Sequence, residues 1–144
     1  MSADAGHLQA LIEYFETLSP ERVQELERFY ARDAYFKDPF NEVRSAQEIR
    51  AIFSRMFRQL SQPRFSIREW TGDGRGTFLV WDLTFRSRWM RGGALQTIHG
   101  ATHLRFNAEG RVVYHRDYWD TAEELYTKLP LIGAVVRLLR RLSG

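Results

Sequence analysis

The spacing of apolar residues changes period once along this chain, near Pro63. That single change restricts it to a fold in which helices come first and a sheet follows. Upstream, Leu8, Leu11, Ile12, Phe15 and Leu18 recur at the intervals of one buried helical stripe, predicting a helix over His7 to Leu18. Ser19 followed by Pro20 and Glu21 is a strong helix start, since serine caps and proline at the first helical position loses no needed hydrogen bond. A second helix is predicted to run to about Tyr30. Ala34 to Asp38 reads as a short strand, because Pro39 bars Asp38 from helix. Ser45 with Glu48 forms a capping box for a third helix carrying Ile49, Ile52, Phe53, Met56, Phe57 and Leu60, with Pro63 as its stop.

Beyond Pro63 apolar and polar residues alternate. Phe65 and Ile67 open one strand, and Leu79, Trp81, Leu83, Phe85 and Trp89 mark the next. Gln96 to Phe106 forms a third and Arg111 to Trp119 a fourth, with glycine-rich turns between them. Helices followed by an antiparallel meander describe an α+β domain over residues 1–130, with three N-terminal helices covering one face of an antiparallel sheet. A last helical region is expected from Ala122 to Leu129. After Pro130, residues 131–144 form an amphipathic basic C-terminal helix, with Leu131, Ile132, Ala134, Val135, Leu138, Leu139 and Leu142 on one arc and Arg137, Arg140 and Arg141 opposite.

Charge and composition narrow the function. Of 144 residues, 21 are basic and all but two of those are arginine. Outside the tail, 18 basic side chains face 18 acidic ones, so the body carries no polyanion footprint and nucleic acid is not an expected partner. With no cysteine, thiolate nucleophiles, thiolate metal sites and disulfides are excluded. No apolar run is long enough to span a bilayer and the N-terminus is too polar for a secretory signal, so a cytoplasmic location is expected. His99 and His103 lie about 13 Å apart along a strand, too far for one ion, and no metal site is expected. The turn Gly72 to Gly76 lacks the helix a phosphate loop needs, and no Gly-x-Ser-x-Gly nucleophile motif occurs.

Several stretches together resemble the nuclear transport factor 2-like superfamily. These are Phe29-Tyr30-Ala31-Arg32-Asp33-Ala34, the turn Asp38-Pro39-Phe40, the segment His103 to Val113 around Asn107-Ala108-Glu109-Gly110, and Tyr118-Trp119-Asp120. That cone-shaped fold is shared by ketosteroid isomerase, limonene epoxide hydrolase, scytalone dehydratase and SnoaL-type polyketide cyclases, and the resemblance covers Leu8 to Trp119. It implies an apolar pocket inside the sheet for a small apolar ligand, with Tyr14, Phe15, Leu18, Tyr30, Phe36, Phe40, Ile52, Met56, Trp81 and Trp119 as its candidate lining. It also implies acid/base chemistry without a cofactor, as an isomerase, cyclase or hydrolase, or else a non-enzymatic binding module.

By the same resemblance, Asp38 stands where ketosteroid isomerases carry their proton-abstracting aspartate, and Tyr14, 24 residues earlier, where they carry the enolate-stabilising tyrosine. Their third group, a protonated aspartic acid, is replaced here by Thr102, a weaker and shorter donor. SnoaL-type cyclases and limonene epoxide hydrolases place a working aspartate on their final strands, which points to Asp117. Alternation puts His115 and Trp119 on the same face as Asp117. A homodimer is expected from a sheet with aromatic and histidine side chains on its outer face; helix 131–144 is expected to close over the body or to pair with a second subunit, with an anionic membrane surface as the alternative partner.

Overall fold

The computed structural model describes residues 3–73, 75–87, 91–124 and 130–143. It opens with α1 (Ala3–Glu16), a 3-10 helix (Arg22–Arg28), β1 (Tyr30–Lys37), β2 (Glu42–Val43) and α2 (Ala46–Gln59). The sheet then continues through β3 (Ser61–Gly72), β4 (Gly76–Arg86), β5 (Leu95–Phe106) and β6 (Val112–Tyr118), followed by α3 (Thr121–Glu124) and α4 (Pro130–Ser143). The expected strand residue Trp89 and most of the expected helix Ala122 to Leu129 lie outside the described residues.

Local signals hold where short-range chemistry decides. Ser45 Oγ accepts from the Glu48 amide, and the Glu48 carboxylate in turn accepts from the Ser45 hydroxyl and the Arg44 amide, closing the capping box. Ser19 also acts as read, its hydroxyl accepting from the Arg22 amide at 3.0 Å. The helix that follows, however, is a 3-10 turn ending at Arg28, and the strand begins at Tyr30 rather than at Ala34. The sheet overrides the helical pattern there. The Val112 amide donates to the Phe29 carbonyl at 2.8 Å, drawing the chain into pairing with β6. Likewise α2 ends before Pro63, which sits inside β3. That strand lies at the sheet edge, where a residue without an N–H is tolerated.

The six strands form one curved sheet in the order β2-β1-β6-β5-β4-β3, antiparallel except for the parallel pair β1 and β6. The helices α1 and α2 pack on its inner face, against β3 and β1. The core there is aromatic and dry: Tyr14, Tyr30, Phe36, Phe85, Leu11, Ile49, Leu79 and Leu104 are fully buried. Register sets what faces this core. Leu79 pairs with Thr102 and Thr102 with Asp117, while His115 lies between Leu104 and Phe36. A one-residue slip would turn all of these outward.

Gly100 has a specific reason to lack a side chain. It pairs with Trp81, and a Cβ at that position would overlap the Trp81 indole, which lies across the β5 backbone. The indole then reaches Thr102, two residues further along the same strand.

Candidate functional site

Four elements of the sheet bring one hydrogen-bonded chain together. The Trp81 indole N–H donates to Thr102 Oγ1 at 2.7 Å, and the Thr102 hydroxyl donates to Asp117 Oδ1 at 2.5 Å. The same oxygen lies 2.7 Å from His115 Nε2, and His115 Nδ1 lies 2.7 Å from the Tyr30 hydroxyl. The Asp117 carboxylate accepts, so Nε2 carries a hydrogen toward it; with hydrogen on Nε2 alone, Nδ1 accepts from the Tyr30 hydroxyl. Thr102, His115 and Trp81 are each at most 5% exposed, whereas the Asp117 side chain keeps 17% of its surface open. Both described hydrogen bonds to Asp117 land on Oδ1.

Asp117 stands at a junction between two spaces. On the inner side is a cavity of about 20 Å³ walled by Phe15 of α1, Phe53 of α2, Phe65 and Ile67 of β3, and Leu79, Trp81, Thr102 and His115. That is room for about one water, well below the several hundred cubic ångströms of a typical ligand site. On the outer side is an open groove of about 560 Å³ lined by Lys37, Asp38, Pro39 and residues 116–120. A larger concavity, about 1050 Å³, lies between the 18–20 turn and residues 57–63. Its ionisable groups are Arg58 and Arg86, and it is wide open, so the small cavity beside a buried acid/base chain is the stronger candidate.

The expected convergence of Tyr14 and Asp38 on one hollow is not what the structure brings together. The Tyr14 hydroxyl donates to the Arg22 carbonyl at 2.8 Å, and its ring stacks on Phe29 with centroids 4.2 Å apart. Asp38 Oδ1 accepts from the Phe40 and Asn41 amides and the Asn41 side chain, at 2.8, 2.7 and 3.1 Å. The physical reason is local: an aspartate before proline satisfies its own turn, and the 3-10 helix offers Tyr14 a carbonyl first. Asp38 does share the outer groove with Asp117.

Of the other expected lining residues, Phe15, Trp81, Thr102 and His115 reach the cavity wall. Tyr30 and Phe36 stand behind His115, the Phe36 ring 4.6 Å from the imidazole. Trp119 lines the groove and meets Phe40, itself 58% exposed, edge-on at 5.8 Å. Leu18 lines the large open concavity, and Ile52 and Met56 pack against the core cluster outside the cavity lining. Four wall residues were not among those expected: Phe53, Phe65, Ile67 and Leu79. Alternation already placed Phe65 and Ile67 on one face of their strand, and that signal would have found them.

Burial leaves a titration signature. The Tyr14 hydroxyl is pushed up to about 12, chiefly by loss of solvent, and Tyr30 is raised well above the usual phenol range by burial and by the neighbouring Asp117 charge. Folding thus favours the protonated phenols. Their contribution to stability is complete below about pH 10 and is lost as pH rises from there toward about 12. A spectrophotometric titration at 295 nm should show Tyr14 ionising only near pH 12 and Tyr30 not before it, among six tyrosines. Six phenols titrating together near pH 10 in the folded protein would contradict the packing of both rings.

The fold and this chain of residues define an α+β domain with a half-buried carboxylate between an apolar cavity and an open groove. A SnoaL-like domain model matches residues 11–115, and the chain belongs to that family, within the nuclear transport factor 2-like superfamily. The match stops two residues short of Asp117. Among solved structures, it is similar to a nuclear transport factor 2-like protein of unknown function from Burkholderia pseudomallei, with 18% identity over 85% of this chain and 95% of that one, at a TM-score of 0.70. TsrD from Streptomyces laurentii is 17% identical over 92% and 99% of the two chains, with a TM-score of 0.74. A candidate SnoaL-like polyketide cyclase from Shewanella putrefaciens is 19% identical over 85% and 84%, with a TM-score of 0.69. At such identities the likeness establishes the fold and not the reaction. A comparison with curated protein sequences finds no match. Among the described residues no helix is long and apolar enough to cross a membrane.

Proposed function

We propose that this protein takes a small, mainly apolar molecule with one polar handle into the cavity beside Asp117, and that Asp117 moves a proton on it without a cofactor. The observation that carries this reading is the carboxylate itself: Thr102 and His115 hold it by Oδ1 at the edge of an aromatic cavity. Oδ2 is the base. Thr102 and His115 orient it, and Tyr30 fixes the His115 ring from behind. Returned to a neighbouring position on the ligand, the same proton completes an isomerisation or a ring closure.

A cavity of this size admits such a molecule only if a wall moves on binding. Phe65 and Ile67 lie on β3, the sheet edge, where no further strand holds them, and are the residues that must swing. The groove with Asp38, Pro39 and Trp119 serves as the entrance.

A second reading draws on the outer face of the sheet. There Phe78 is 49%, Val80 40% and Tyr118 47% exposed, with Val80 and Tyr118 both paired to Ala101. Such a face suits a second copy of the chain, and a dimeric binding module without turnover is the alternative. A panel of small cyclic ketones, phenols and enols, scored by thermal shift and by intrinsic tryptophan fluorescence, separates the two. The cavity reading expects hits whose binding weakens in Thr102→Val, which frees one side of the Asp117 carboxylate. No hit from the panel, together with a dimer that Val80→Arg dissolves, would favour the module.

A further inference from the structure

The helix α4 (Pro130–Ser143) differs from α2 in a way that bears on its partner. On α2, Ile49 and Phe53 are buried, and the exposed side carries both signs of charge, Glu48 with Arg55 and Arg58. On α4 the apolar residues Val135, Leu138, Leu139 and Leu142 are themselves exposed, at 54%, 54%, 58% and 76%. At 100° per residue these four fall within an arc of about 100°, and Arg137, Arg140 and Arg141 centre on the opposite side. Residues 131–144 contain three arginines and no acidic side chain.

From this arrangement we infer that α4 is a membrane-surface anchor that lies flat on an anionic lipid bilayer. One partner satisfies both faces at once. The leucine stripe enters the acyl boundary while the arginines reach back to lipid phosphates, and a polar side made only of cations meets a surface made of anions. Pairing of α4 with its copy through the stripe would cover the leucines but would bring no anionic surface to the arginines on the opposite side. Fourteen residues rise about 21 Å, short of a bilayer's hydrocarbon core, so the helix lies on the membrane and does not span it. The inference is independent of the chemistry assigned to Asp117.

The test is co-sedimentation of the full chain with vesicles of phosphatidylcholine alone and of equimolar phosphatidylglycerol and phosphatidylcholine. Binding is expected on the anionic vesicles, weakening as salt is added, and at least tenfold lower on the neutral ones. Neutralising all three arginines (R137Q/R140Q/R141Q) should lower affinity about a hundredfold, from about fivefold per charge. The double variant L138D/L142D should abolish binding at any lipid composition. Both sets of residues are exposed, and an unchanged melting temperature confirms that the body is intact. Equal binding to both vesicle types, or no binding to either, overturns the inference. So does a wild-type chain that stays in the supernatant as an oligomer which L138D/L142D reduces to a monomer, since the stripe would then cover a second copy.

Discussion

Replacing Asp117 by asparagine should lower turnover of a verified substrate by roughly 100-fold to 10,000-fold, the range contributed by a positioned general base. The substitution is close to silent in shape. An asparagine oxygen at the Oδ1 position still accepts from the Thr102 hydroxyl and His115 Nε2, so the chain from Trp81 to Tyr30 survives. What changes is the other arm, where an NH₂ group replaces Oδ2. A donor then faces the ligand in place of an acceptor, and no proton can be taken. Ligand affinity should move far less than turnover. Asp38→Asn is the discriminating companion, because asparagine makes the same turn to the Phe40 and Asn41 amides. Full turnover in Asp117→Asn, or its loss in Asp38→Asn alone, would move the base to the turn that the resemblance singled out.

Trp81→Ala should cost about 3–5 kcal/mol, the range for removing a large aromatic from a packed interior. For a chain of this length that corresponds to a melting temperature lower by roughly 10–17 °C. Trp81 is 5% exposed, meets Phe65 edge-on at 5.5 Å, and lies across Gly100 with its N–H on Thr102. Nothing nearby can refill the space, since the residue beneath the ring has no side chain. Gly100→Ala attacks the same contact from the other side and should cost about 1–3 kcal/mol by pushing the ring off its seat. A chemical denaturation series measures both. A Trp81→Ala variant melting within a degree or two of wild type would mean that the indole is not packed as described.

Much of this architecture could be read from neighbours in the chain. The capping box at Ser45 and Glu48 and the cap at Ser19 are contacts between residues three apart, and they form as their chemistry demands. Alternation along β6 put His115 and Asp117 on one side of the strand, and both face inward. What failed was the step from a shared spacing to a shared site. Tyr14 and Asp38 stand 24 residues apart in the order the resemblance leads one to expect, yet each hydrogen-bonds within its own neighbourhood, to Arg22 and to the Asp38-Pro39 turn. The second helix became a 3-10 turn because β6, more than 80 residues later, claims the Phe29 carbonyl.

Periodicity, capping and turn chemistry are local, so the order of helices and strands, the inward faces and the tail's divided surface follow from residues within a few positions of one another. The meeting of Trp81, Thr102, His115, Asp117 and Tyr30 has no such origin. It depends on the register of four strands and on a glycine that lets an indole lie across the sheet, and register is decided by how the whole core closes. Several inward-facing polar side chains were eligible. Only the pairing of distant strands selected which of them hydrogen-bond to one another.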